Sequence, residues 1–296
     1  MFILLTAFSI SFMDNKEALL RVNVEVNDKV QETNDIYLLN KNNYLVKYEI
    51  MLDGDSTKDK VLKVLNYLMD IDNSIFSNEL SGTIPKGVKI LDVICGNQLV
   101  TVNFSKKLLD VSSYKEKQMI SSIVYSLTDI DDIEGVSILV EGKKLDSYPN
   151  SKESLPNILN RDIGINKEYK INSRDNISSV VIYYMENIDD ELYYVPVTKY
   201  INDDRDKIKI VVEELTTSYI YEENLMSFLN SKVKLIDYKE ENDTLILNFN
   251  EYLFDSKDKV LEEVIYCLGY SVFDNYDVSM VMFEVNGQEV GYINRK

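Results

Sequence analysis

The sequence contains no histidine and no tryptophan, and only two of its 296 residues are cysteine. Without histidine, Ser-His-Asp and Cys-His catalytic sites are excluded, and so is every histidine-ligated metal centre. Two cysteines are too few to hold zinc on their own. Cys95 follows a segment of strand character and Cys267 lies on one of helical character. They fall at non-equivalent places and read as two buried structural thiols rather than a disulfide. So low a cysteine content fits a reducing compartment or an exported protein without disulfides, and leaves the redox compartment open. Glycine is scarce too: ten residues, none grouped into a phosphate cradle. The only strongly apolar tract is Met1–Met13, which has the length of a signal-peptide core and is too short to span a bilayer. From that length and composition we read residues 1–35 as a leader remnant with its lead-in, the basic stretch expected before it then lying upstream of Met1, with a buried N-terminal segment as the alternative. No lipobox cysteine follows, so lipidation is not read.

Positive charge is also in short supply. Thirty-two basic residues stand against fifty acidic ones, a net charge of −18. The phosphates of nucleic acid and of anionic lipid would repel such a surface, so nucleic acid is not expected as a partner. The imbalance is uneven: residues 36–148 carry −3 and residues 177–296 carry −13. An acidic second half fits a partner with a basic face, or serves solubility alone.

What the sequence does contain is an internal duplication. Leu99-Val-Thr-Val-Asn-Phe-Ser-Lys-Lys-Leu-Leu-Asp110 matches Thr244-Leu-Ile-Leu-Asn-Phe-Asn-Glu-Tyr-Leu-Phe-Asp255 at an offset of 145 residues. Val88–Val93 matches Val233–Tyr238, and Val136–Gly142 matches Val281–Gly287, at the same offset. Helical stripes recur: Val61, Val64, Leu65 and Leu68 in one copy, Ile208, Val211, Val212 and Leu215 in the other. A second pair follows, Ile120, Ile123, Val124 and Leu127, then Leu261, Val264, Ile265 and Leu268. Ser113 and Glu116 have capping-box spacing before the later helix of the first copy. Val100, Val102 and Phe104 alternate as a strand does, as do Leu245, Leu247 and Phe249. Glu141-Gly142 and Asn286-Gly287 sit where hairpin turns belong. Opening hairpins fall around Tyr37–Leu39 with Tyr44–Ile50, and Val180–Tyr184 with Tyr193–Thr198. Each copy reads β-β-α-β-β-α-β with a short terminal strand. The expected fold class is α+β: two similar modules, each a mostly antiparallel sheet with two helices on one face. The expected boundaries are module one at 36–148, a linker at 149–176 marked by Pro149 and Pro156, and module two at 177–296. Ile158, Leu159, Ile163 and Ile165 give the linker residues that would pack on a module.

Candidate chemistry is thin. Asp53-Gly-Asp-Ser-Thr-Lys-Asp59 opens like a calcium loop, but Lys58 and Val64 stand where glycine and the bidentate glutamate are required. Ser56 or Thr57 capping the next helix, with Asp59 in its first turn, explains the segment better. Asp129, Asp131, Asp132 and Glu134, with Asp274 and Asp277 in the other copy, read as solvated loops rather than paired carboxylates for glycoside chemistry. Among 21 tyrosines, Tyr183, Tyr184, Tyr193 and Tyr194 form the best candidate for an exposed contact surface, although core packing is the more ordinary use. No catalytic, cofactor-binding or metal-ligating residues can be named, and no cofactor is expected.

The stretch Gly82-Thr-Ile-Pro-Lys-Gly-Val-Lys-Ile-Leu-Asp-Val93, running into Gln98–Ser105, resembles the sporulation and spore germination (GerMN) domain. Ile84, Pro85 and Gly87, then Val102, Phe104 and Ser105, occupy the places of that family's turn and strand-end motifs. The second copy carries Leu229-Asn230 where the first has Ile84-Pro85, and Asp70-Ile71-Asp72 replaces the family's Gly-Pro after the first helix. The resemblance implies a non-enzymatic protein shaped like the ring-building modules of secretion channels. It implies a structural role in an extracytoplasmic, membrane-associated complex between mother cell and forespore. Its implied partners are other sporulation channel or envelope proteins, or further copies of itself, with membrane contact only through an N-terminal leader or anchor. A cell-wall (peptidoglycan) binding protein using tyrosine-rich faces is the alternative. An enzyme of unknown type has the weakest support.

Overall fold

The computed structural model describes residues 32–69, 79–217, 224–257 and 259–295. The apolar N-terminal tract and Asp70–Asp72 lie outside them. In chain order the first copy gives β1 (Thr33–Asn40), β2 (Leu45–Met51), α1 (Thr57–Leu68), β3 (Leu80–Ser81), β4 (Ile90–Gly96), β5 (Leu99–Phe104), α2 (Glu116–Leu127), β6 (Gly135–Val140) and β7 (Lys143–Lys144). The linker contributes β8 (Glu168–Lys170). The second copy gives β9 (Ser178–Ile188), β10 (Glu191–Ile201), α3 (Lys207–Thr217), β11 (Leu235–Glu241), β12 (Thr244–Phe249), α4 (Glu262–Phe273), β13 (Met280–Val285) and β14 (Gln288–Asn294). The fold is α+β with two similar modules.

The strands are shared out differently from one sheet per module. Each copy closes its later strands into a four-stranded sheet, β4-β5-β6-β7 and β11-β12-β13-β14. Within each, the central pair is parallel and the outer pairs antiparallel. The two opening hairpins instead join each other in a six-stranded sheet that also takes in β3 and β8. The seam between the hairpins is short. β2 meets β10 directly at Lys47 and Tyr194, but Pro196 then presents no N–H, so the ladder cannot continue. Asn166 of the linker fills the gap: its side chain accepts from the Leu45 N–H at 2.9 Å and donates to the Leu45 and Pro196 carbonyls at 2.8 Å.

The repeated Asn-Phe motif locks one turn in both copies. Asn103 Oδ1 accepts from the Gly142 N–H, and Asn248 Oδ1 from the Gly287 N–H, each at 2.9 Å. Both turns place two successive residues at positive φ, Glu141 with Gly142 and Asn286 with Gly287, the conformation a tight hairpin requires. The next residue repeats its role as well: Ser105 Oγ and Asn250 Oδ1 each accept a backbone N–H, from Lys89 and Lys234. Phe104 and Phe249 are fully buried. The motif is conserved between copies for packing and turn geometry.

The helical stripes face the core as their spacing requires: the four residues quoted for α1, for α2 and for α3 are all buried. In α4, Val264 and Leu268 are buried while Ile265 and the N-cap residue Leu261 are half-buried. Helix α2 is buried well beyond its stripe, through Ser121, Ser122, Tyr125 and Ser126. The cap reading holds for α1, where the Ser56 side chain accepts from the Asp59 N–H. It fails for α2. Lys115 occupies the N-cap position without a side-chain cap, and Glu116 turns its carboxylate to the linker N–H groups of Asn150 and Ser151.

Candidate functional site

The junction between the modules is where chemically active side chains gather. The two copies contribute equivalent groups. Tyr37 on β1 and Tyr183 on β9 each donate a backbone N–H to a helix serine, Ser126 and Ser271, at 2.9 Å. Tyr125 and Tyr270 pack against them with ring centroids 5.4 Å apart in both copies. The Tyr37 and Tyr183 hydroxyls meet at 3.2 Å, and Tyr183 donates on to Asp274 at 2.9 Å.

Arg161, in a short 3₁₀ turn of the linker, sits between the two halves. Its guanidinium reaches Asp274 at 2.5 Å and Asp129 at 3.2 Å. These carboxylates are themselves equivalent at the 145-residue offset. The same guanidinium lies over the Tyr125 ring at 5.1 Å, while Lys47 takes the matching place over Tyr270 at 3.6 Å. Lys47 also pairs with Asp35 at 2.6 Å, and the Asp35 N–H donates to Asp129 at 2.6 Å. Burial, then the neighbouring Asp35 charge, pushes the Asp129 carboxyl up to about 6 against the opposing pull of Arg161 and Lys47. Burial pushes the Tyr37 and Tyr183 hydroxyls far above their ordinary range, so both stay protonated donors.

Two further contacts hold the assembly. Glu186 of β9 accepts from the side-chain amides of Asn40 and Asn42 in the first module. Lys199 of β10 is fully buried, pairing with Glu214 of α3 at 2.5 Å and with Glu168 of β8 at 3.3 Å.

Several sequence readings change here. Asp129 and Asp274 are not solvated loop residues, because Arg161 draws both into the junction. Asp131, Asp132, Glu134 and Asp277 are exposed as expected. Tyr183, Tyr184 and Tyr193 are buried and Tyr194 is half-buried, so this cluster is core and not a contact surface. Asp53 and Asp59 turn to separate partners, Lys63 and Ser56. Cys95 is half-buried and Cys267 buried, both as free thiols. No group of three or more Asp, Glu or Cys side chains suited to a metal occurs among the described residues.

The sequence signal that marks Arg161 is a repeat with a different offset. Ile158-Leu159-Asn160-Arg161 matches Tyr292-Ile293-Asn294-Arg295, but at 134 residues instead of 145. The first copy thus carries an 11-residue insertion between β7 and this motif. Structure bears out the equivalence: Leu159 bridges Val136 as Ile293 pairs with Val281. Arg295 donates to the carbonyls of Phe273 and Tyr276 at the end of α4. Its counterpart Arg161 keeps a contact to the end of α2, at the Tyr125 carbonyl and Thr128, and adds the bridge between modules.

Two modules of one α+β design, fused through a shared sheet and a linker arginine, define a tandem-domain architecture. The sporulation and spore germination family model matches residues 35–146 and 181–291, and the chain belongs to that family. The spore germination protein GerM of Bacillus subtilis (strain 168) is 26% identical over 263 residues, spanning 86% of this chain and 71% of that protein. The solved tandem GerMN domains of B. subtilis GerM match with a TM-score of 0.80, covering 90% of this chain and 97% of that one at 24% identity. The family is a sporulation and germination domain and not a known enzyme class. No helix among the described residues is long and apolar enough to cross a membrane.

Proposed function

We propose that this chain is a non-enzymatic structural protein of sporulation or germination, acting in an extracytoplasmic envelope complex between mother cell and forespore. The observation that carries the reading is that the family match spans both modules, together with most of a germination protein's length. The geometry supports a structural role: the junction's buried ionisable groups are engaged in holding the modules together.

Surfaces for protein partners remain at the sheet edges. β4 and β11 are both edge strands, and each carries a bulge at the equivalent place. The bulged residues, Leu91 and Ile236, are exposed apolar side chains. A bulge discourages indiscriminate strand pairing while re-aiming a side chain outward. The acidic second module adds charge that would select a basic partner face.

The test is deletion of the gene in its own host, followed by a count of heat-resistant spores and their germination. Loss of either, restored by the wild-type gene, is expected. Normal sporulation and germination would overturn the reading.

A further inference from the structure

The outer side of the linker strand carries a tyrosine platform with a cation beside it. Alternation along β8 divides its residues between two faces. Glu168 turns to the buried Lys199, and Lys170, itself exposed, reaches Glu214 at 3.8 Å on the same side. Tyr169 takes the other face, and Lys167, the residue before β8 and two positions from Tyr169, falls on the same side by that alternation. There Tyr169 pairs in register with Tyr200 of β10. The rings stack with centroids 4.9 Å apart and planes within 11°, and Tyr169 remains 63% exposed. One face of its ring is used on Tyr200, leaving the other for a ligand.

The platform is held in place from below. Gly164 has φ +76, and a Cβ there would stand 2.9 Å from the Tyr200 hydroxyl and 3.3 Å from Thr198. A larger residue would displace Tyr200. Lys167 has no ion-pair partner among the described residues. Burial, then the like charge of Lys117, lowers its affinity for a proton, while Glu153 opposes. Lys117 itself is held by Glu153 at 2.9 Å and lies over the Tyr148 ring at 5.9 Å. Two lysines thus share one glutamate near the exposed Tyr169 ring, a locally cationic patch on a chain of net charge −18.

We propose that Tyr169, stacked on Tyr200 and flanked by Lys167, is a binding face for a saccharide that carries carboxylates, of the kind found in peptide-bearing wall glycans. The flat C–H face of a sugar ring suits an exposed aromatic ring, and the ammonium of Lys167 suits a nearby carboxylate. Single-stranded nucleic acid also stacks on aromatics, but its closely spaced phosphates would meet the repulsion of the whole acidic chain. A glycan with carboxylates only on its peptide stems meets far less.

The test is co-sedimentation of the full chain with purified peptidoglycan sacculi, alongside chitin as a neutral glycan and poly-glutamate as a soluble competitor. Wild type should sediment with sacculi more strongly than with chitin. Tyr169→Ala, a change at an exposed position, should weaken sacculus binding about three- to tenfold, as losing one aromatic stacking contact does. Lys167→Gln should weaken it by about twofold or more and remove the preference over chitin. Unchanged circular dichroism of both variants would confirm folding. Absence of sedimentation, wild-type binding by Tyr169→Ala, or displacement by poly-glutamate at equal carboxylate concentration would each overturn the proposal, the last by favouring an acidic peptide.

Discussion

Replacing Arg161 with methionine should destabilise the whole chain, because it removes the cation shared by two equivalent carboxylates. Methionine keeps much of the side-chain volume, so the effect is chiefly electrostatic. Asp274 is 7% exposed and Asp129 20%, while Arg161 itself is 31% exposed. Breaking a fully buried pair by deleting one partner costs about 3–5 kcal/mol. Partial exposure of the arginine brings the expectation to about 2–4 kcal/mol. For a folded unit of this size that corresponds to a loss of about 4–7 °C in melting temperature. Urea and thermal denaturation followed by far-ultraviolet circular dichroism would measure it. The triple variant Arg161→Met, Asp129→Asn, Asp274→Asn should recover most of the loss, since it leaves no uncompensated charge. A single variant within about 1 kcal/mol of wild type, an ordinary surface effect, would refute the reasoning. So would a triple variant no better than the single one.

Other outcomes follow from the same geometry. Asp129 has a folded pKa of about 6, above the ordinary value of about 3.9, so the folded state holds more protons between about pH 4 and 6. Its contribution to stability therefore falls as pH rises through that window, and the urea midpoint of Asp129→Asn should lack this component when compared with wild type. Asn103→Ala and Asn248→Ala should each cost about 1 kcal/mol through the lost turn hydrogen bond, and denaturation should show similar losses in the two copies. Although burial opposes it, hydrogen bonds from Asn150 and Ser151 hold the Glu116 carboxyl below its ordinary value. Glu116→Gln should therefore loosen the 11-residue insertion, read as faster proteolytic cleavage there. Burial pushes both thiols up, and Cys95 should label with a thiol reagent well before Cys267, which should react only on unfolding.

The modules were legible in the sequence because their cores obey simple periodicities. Val100, Val102 and Phe104 alternate, Val61 to Leu68 follow a helical stripe, and Asn286-Gly287 marks its turn. The sharing of strands was not legible. Whether two hairpins stay in their own modules or join depends on Lys47 meeting Tyr194, and no local pattern states that pairing. The capping-box spacing of Ser113 and Glu116 misled for a similar reason: a distant pair of N–H groups outcompeted the local one. Asp129 and Asp274 looked like solvated acids because charge runs usually are. Their partner lies in the linker, and the insertion that moves Arg161 out of the common offset hides its equivalence to Arg295. The tyrosines of the second hairpin read equally well as surface or core, and packing of α4 on β9 decided for core.

Fusion of the two modules into one body is tested most directly by differential scanning calorimetry of the full chain. A single transition with equal calorimetric and van't Hoff enthalpies is predicted, shifted down as a whole by Arg161→Met. Two resolved transitions, with one of them insensitive to Arg161→Met, would contradict it.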